Sequence, residues 1–391
     1  MNTIVIIGGQ DEIFEELHLE HCQILAVNIP YFIGDALRNT AKQIIVIDTF
    51  NDEAVLNALI ELSNTYSIDA VFSYSELGVL PASFATKTLN LPGIEHDIAR
   101  SCRNKSTLRE RLAHTDFALP FSACVTESDV HNALTEMALP IVVKDPMGAG
   151  SANVKICSTD EEVTQFSSRL FKQGFEQVLL EKYCTGIEYS VETLTLNGQH
   201  HVLGITDKAL IEGTVVESHH VFPTALSLAE QDEVSSYVVA LLDAINHRHG
   251  PMHIEVKKDG HQLGLIEINN RCGGDYIWEM VSKVTGVNMY RASILAHFNG
   301  ETDCHRWADA PKYHTMCYLS LFGHITPSQL RDRLPASVDI VRAEWPEKTS
   351  LSNDIGDSTQ RPGFVLLGSK DGEVHMASLV ADIQGTISSF V

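Results

Sequence analysis

The chain has 391 residues, 44% hydrophobic and 20% charged, enough to bury a large core in two or three domains. A formal net charge of −23 with no Lys/Arg cluster argues against a nucleic-acid partner, because phosphate backbones repel such a surface. No apolar run reaches bilayer length, the N-terminus lacks the basic flank of a signal peptide, and the 8 cysteines show no Cys-x-x-Cys spacing, so we expect a cytoplasmic protein with reduced thiols, no membrane partner and no zinc site.

Residues 1–95 alternate short apolar strands, at 4–7, 24–27, 44–47 and 70–72, with helical patterns. One helix is expected over 52–66, capped by Asn51 or Asp52. This alternation predicts a parallel α/β layer. Gly8-Gly9 is half a dinucleotide fingerprint and reads better as a tight turn. His18 and His21 lie three apart on an expected helix and read as surface residues. Asn90-Leu91-Pro92-Gly93 marks a boundary, and Asn104 is placed to cap a helix over 105–114.

A strand at 141–144 breaks at Asp145-Pro146 and resumes at 154–157. The small residues of 147–153 between them form a flap whose backbone N–H groups could fold over phosphates. The Gly-Lys-Ser/Thr of a P-loop is absent, and alone the segment would read as an exposed hairpin loop. A helix at 159–173, strands at 178–182 and 187–196, and a long helix at 228–248 follow.

The richest stretch runs from Gly264 to Asp275. A strand has a side-chain period of two, so Glu267, Asn269 and Arg271 should share one face. The preceding strand, 252–257, carries Glu255, and Lys258-Asp259-Gly260-His261 reads as the hairpin turn between them. Both glutamates would then face one site. Carboxylate and amide oxygens are hard ligands suited to Mg²⁺, and a planar guanidinium suits phosphate oxygens. A lone Glu-x-Asn would read as a solvated strand face; the second carboxylate, the arginine and Gly273-Gly274 turn the reading towards phosphoryl transfer. Cys272 has no evident partner base, so thiol catalysis is not expected. A helix at 277–284 should stop at Gly286, and residues 310–391 read as strands and turns of a closing lobe, punctuated by Pro362-Gly363 and Asp371-Gly372.

In this order the motifs resemble the ATP-grasp superfamily, in particular its carboxylate–amine ligases, including the L-amino acid ligases that make dipeptides, and the biotin-carboxylase-like branch. The resemblance implies an α/β ATP-grasp fold. It would have an N-terminal Rossmann-like parallel domain at 1–95, linker helices and a small lid at 96–185, and an antiparallel α+β catalytic lobe at 186–391. It implies ATP and Mg²⁺ (or Mn²⁺) as cofactors. Lys105 and Lys144 match the phosphate lysines, and Gly148, Gly150 and Ser151 fall in the flap. Glu181, Tyr183 and Cys184 resemble the hinge that reads adenine, and Glu188 the ribose acceptor. Glu255, Glu267 and Asn269 match the metal ligands, and Arg271 matches the arginine of the Glu-x-Asn-x-Arg signature. Asn270 stands where many relatives carry proline.

Lys208 resembles a basic position near the reacting groups, and reads equally as a solvated lysine. His219-His220 and Gly273-Gly274-Asp275 resemble substrate segments of the dipeptide-forming ligases. Asp275 would accept from a substrate ammonium and His220 would line the acyl pocket; the histidines also read as a strand-edge pair. Backbone donors around Gly273-Gly274 would hold the oxyanion. The expected function is an ATP-dependent ligase that joins an amino acid or small acid to an amino acid through an acyl phosphate. Two alternatives remain at this point: a bicarbonate-using carboxylase, and a nucleotide-binding regulator without turnover. Small-molecule substrates and a homodimer are expected.

Overall fold

The computed structural model describes residues 1–211, 214, 216–322, 325–346 and 360–388. Three sheets organise the chain. The first holds β1 (Asn2–Ile7), β2 (Cys22–Asn28), β3 (Gln43–Val46) and β4 (Ala70–Ser73), all parallel, in the order β3-β2-β1-β4. Their near-continuous apolar runs suit strands covered on both faces: Ile4, Val5, Ile6 and Ile7 are each fully buried. Helix Asp52–Ser63 packs beside them, and Asn51 caps it by accepting from the Ala54 N–H. The first helix ends at Glu15, so His18 and His21 lie in the following loop, both exposed. The sequence misplaced them because helical spacing continued past a turn.

The second sheet comprises β5 (Phe121–Cys124), β6 (Ile141–Lys144), β7 (Val154–Cys157) and β8 (Val178–Lys182), antiparallel, in the order β5-β8-β6-β7. The 145–153 connection bends through Gly150, Ser151 and Asn153, all at positive φ, and returns the chain as a hairpin.

The third sheet has eight strands: β9 (Ile187–Leu196), β10 (Gln199–Leu210), β11 (Glu217–Phe222), β12 (Gly250–Asp259), β13 (Gln262–Asn269), β14 (Thr315–Ser320), β15 (Val338–Glu344) and β16 (Phe364–Ser369). Their order is β13-β12-β9-β10-β11-β14-β16-β15. The C-terminal segment thus extends the same sheet. It also contains helices Pro327–Arg331 and Met376–Ser388, where the sequence showed only strands and turns.

Two further boundaries differ from expectation. Helix Leu228–Ala244 starts at a Ser227/Glu230 capping box but stops short of 248, because Asn246 takes a left-handed φ of 57° and Gly250 opens β12. The β12–β13 turn is shifted: Lys258 and Asp259 still pair with Leu263 and Gln262, leaving Gly260-His261 at the tip. One core runs through the joint between the first and third sheets, where Ile4, Ile6 and Leu37 share a cluster with Trp278, Met280, Tyr290 and Met316. Each fully buried aliphatic side chain there contributes roughly 1.5–3 kcal/mol, which fixes the first sheet against the lobe that carries Arg271.

Candidate active site

A cavity of about 430 Å³ lies between the second and third sheets. Its walls bring together Lys105, Lys144, the flap residues Gly148, Gly150 and Ser151, the β8–β9 link Glu181, Tyr183, Cys184 and Glu188, and Lys208, His220, Glu255, Glu267, Asn269, Arg271, Gly274 and Asp275. Of the residues assigned a binding or catalytic role by the resemblance, Gly273 and His219 are absent from that lining.

The floor is the β12–β13 hairpin. Glu255 and Glu267 are directly opposite, and Asn269 sits two residues further on, opposite His253. A bulge follows: Val256 pairs with Leu265, so Ile266 is the extra residue. Arg109, 2% exposed, holds this bulge by donating to the carbonyls of Leu265 and Ile266 at 2.9 and 3.0 Å. β13 ends at Asn269, so Arg271 lies past the strand. Its guanidinium donates to Glu76 (2.5 Å) from the first domain and to the Cys272 carbonyl (2.9 Å).

Buried charge is closely paired throughout. Lys105 sits at the start of helix Lys105–Leu112, capped by Asn104; its Nζ donates to the Gly148 carbonyl (2.7 Å) and lies 3.2 Å from Glu267. Lys208 donates to Glu188 (2.7 Å) and Glu255 (2.8 Å) and lies 3.5 Å from Glu217. Its side chain is 2% exposed, which excludes the solvated reading. Burial opposes charge on Glu255, yet Lys208 and His253 hold its carboxyl well below the usual range. Burial likewise opposes the imidazolium of His253, but Glu192 and Glu255 raise its pKa to about 9. Burial raises the Cys272 thiol well above its ordinary value, so it is no nucleophile at neutral pH.

The Glu181 carboxylate lines the cavity, where Lys144 (2.6 Å) and Arg109 (2.8 Å) bind it. A buried carboxylate requires counter-charge, and two cations supply it. Asp275 is not open to an ammonium. Arg361 grips it with two donors at 2.6 and 2.5 Å, and His220 Nε2 adds a contact at 3.0 Å. The Gly273 N–H is not an oxyanion donor, because it is bound to Glu192 at 3.1 Å. His220 is also no edge residue, since β11 lies between β10 and β14 and the side chain is 2% exposed.

The sequence missed Glu76, Arg109, Glu192, Glu217, His253 and Arg361. Four of these stand within ordinary strand or loop text, and only folding brings them near the signature. The exceptions carried a faint signal: Arg109 sits one turn beyond Lys105, and His253 two residues before Glu255.

The donor set fits a hard divalent cation. Glu255, Glu267 and Asn269 present oxygens, and the Asn269 amide makes no side-chain hydrogen bond to another described residue. Among the described residues no group of three or more His, Cys, Asp or Glu gathers as a metal cluster. A metal here would complete its shell with water and phosphate oxygens, as Mg²⁺ does.

A second cavity, about 460 Å³, meets the first at Asp275 and Arg361. The first domain supplies Gln10, Glu12 and Tyr31, and the third sheet supplies Tyr318 and Phe364. For the ATP-dependent ligase that the motifs imply, Asp275→Ala should raise the KM of the organic substrate about 10-fold or more, because it removes the charge-assisted hydrogen bonds that hold Arg361 in this wall, each contributing roughly 1.5–3 kcal/mol. The KM for ATP should change less than about 2-fold. Steady-state kinetics with each substrate varied would show it; a selective rise in the ATP value would move this wall to the nucleotide side.

A family model described as "ATP-grasp domain" matches residues 137–279. Alanine–anticapsin ligase of Bacillus amyloliquefaciens is 22% identical over 317 residues, covering 73% of this chain and 66% of that protein. Human carnosine synthase 1 is 23% identical over 270 residues, covering 62% of this chain and 32% of that protein. The chain therefore spans a third to two thirds of the length of these curated relatives. The crystal structure of an L-amino acid ligase from Bacillus licheniformis superposes with a TM-score of 0.82 at 19% identity, covering 98% and 97% of the two chains. No described helix is long and apolar enough to cross a membrane. The matched segment contains the flap, the hinge and the carboxylate hairpin, so residues 137–279 resemble an ATP-grasp domain in sequence, and the chain shares the fold of the L-amino acid ligase structure.

Proposed function

We propose that the chain is an ATP-dependent carboxylate–amine ligase that joins an amino acid or small acid to an amino acid. The observation that carries this reading is the Glu255–Glu267 pair with Asn269, lining one cavity together with Lys105 and Lys144. The relatives named alanine–anticapsin ligase and carnosine synthase support the ligase class.

A carboxylate resists attack because of its charge and resonance. Its oxygen would take the γ-phosphoryl group of ATP, with the β–γ bridge bond breaking and ADP leaving. The amine would then attack the acyl carbon, lose a proton and expel phosphate. Mg²⁺ held by Glu255, Glu267 and Asn269 would supply charge neutralisation at the phosphates. Lys144 and Lys105 lie on the lid side of the cavity and would add positive charge along the phosphate chain. Lys208 holds Glu188 and Glu255 in place. Arg271 would meet the acyl phosphate and its oxyanion. The flap at 145–153 would cover the phosphates and exclude water from the acyl phosphate.

The second cavity favours organic substrates over bicarbonate, since about 460 Å³ far exceeds what that ion requires. With every described cysteine free, we place the enzyme in the cytoplasm, acting on small molecules, and read it as a homodimer. Light scattering would test the last point. The products should be ADP and orthophosphate. A screen of amino-acid pairs with Mg-ATP, read by nucleotide chromatography, tests this; AMP would remove the acyl-phosphate route, and no stimulation by any amino acid would remove the amino-acid ligase reading.

A further inference from the structure

The Glu192 side chain is fully buried, yet it carries a carboxylate in the middle of β9. Its two oxygens hold different partners. Oε1 meets His253 Nδ1 at 2.5 Å, and Oε2 accepts from the Gly273 N–H at 3.1 Å. His253 lies directly across from Glu192 on β12, and its other nitrogen, Nε2, reaches Glu255 Oε1 at 3.3 Å. An unbroken chain of contacts therefore runs from Gly273 through Glu192 and His253 to Glu255.

Packing around Gly273 supports the same connection. A Cβ at that position would stand 2.8 Å from His253 Nδ1 and 3.0 Å from Glu192 Oε1. The neighbouring Gly274 has open space. Gly273 thus follows from the close approach of this pair, and Gly274 does not. The turn it begins is sharply bent: Asp275 and Tyr276 both hold left-handed φ, at 50° and 56°. A fully buried carboxylate is costly unless it is paired and hydrogen-bonded, and an apolar residue could fill a β-strand interior without that cost.

We infer that Glu192 and His253 are positioning residues that lock the Glu255 carboxylate and the Gly273–Tyr276 turn into one unit, so that metal binding and order in the substrate turn are coupled. The inference rests on the ligase reading for the roles of the two ends. Its structural content can be tested without turnover.

Two variants separate the links. His253→Asn keeps a donor towards Glu192 but is too short to reach Glu255. Glu192→Gln keeps an acceptor for Gly273 and removes the charge that holds His253. The metal readout is Mn²⁺ titration by electron paramagnetic resonance with a non-hydrolysable ATP analogue. The turn readout is hydrogen exchange of the peptide spanning 272–277. Both variants should weaken Mn²⁺ binding by about 10-fold, the scale for losing a partner that orients a metal ligand. In the wild type, Mn²⁺ and the analogue should slow exchange in the turn; in both variants that slowing should disappear. A purely structural role would lower the melting temperature while leaving Mn²⁺ affinity within 2-fold, and that result overturns the inference. Slowing of the turn retained in His253→Asn also overturns it. If Glu192→Gln fails to fold, His253→Asn alone decides. A silent ligase assay leaves both readouts valid, and a failure here leaves the ligase reading intact.

Discussion

Glu267→Gln should reduce turnover by at least about 10²-fold, the scale for removing a principal electrostatic stabiliser. The side chain lies opposite Glu255, beside Lys105 at 3.2 Å, on the cavity floor. Glutamine keeps its shape and one carbonyl oxygen but loses the charge that draws a divalent cation. The fold should survive, because Glu267 sits at the cavity wall and its neighbours Leu265 and Ile268 carry the packing. Metal titration should show weakened binding together with the fall in kcat, and circular dichroism should be unchanged. Near-normal activity with retained metal dependence would place the metal elsewhere.

The part of the site that was legible in the sequence is the part written in consecutive residues. Strand alternation put Glu267 and Asn269 on one face and brought Glu255 across from them, and the hairpin bears this geometry. The parallel first sheet was readable from its buried runs. What was not readable was occupancy. The sequence left Glu181 and Asp275 as open acceptors, and the fold surrounds both with cations from distant segments: Arg109 and Lys144 for one, Arg361 for the other. A pattern of period two shows which way a side chain faces, but not which remote group meets it. The bulge at Ile266 was hidden for the same reason, since its determinant is a buried arginine some 150 positions earlier, Arg109. Buried ionic networks join segments by long-range charge balance, and that leaves no periodic trace.

The Glu181 network gives the largest expected loss of stability. Glu181→Gln would leave Lys144 and Arg109 buried near each other without their shared carboxylate. Removing one partner of a buried pair costs about 3–5 kcal/mol, so the melting temperature should fall by at least about 5 °C. Lys144 should suffer most: burial, Arg109 and Lys105 already depress its pKa despite Glu181. In the variant it would lose charge, and with it the means to attract phosphate, so the KM for ATP should also rise. The pH dependence follows from the sign of the shift. Burial opposes charge on Glu181, but Lys144 and Arg109 lower its pKa to about 2, below the ordinary value of about 4.3 in an unfolded chain. The stabilisation is therefore fully present above about pH 4.3 and is lost as pH falls towards 2. The difference in melting temperature between wild type and Glu181→Gln should narrow below pH 4, as the wild-type carboxylate is protonated. A double variant, Lys144→Met with Glu181→Gln, should be less destabilised than the sum of the two single changes, because one stranded cation is gone. Additive losses, or a gap that stays constant into acid, would mean that the carboxylate contributes through packing and not through its charge.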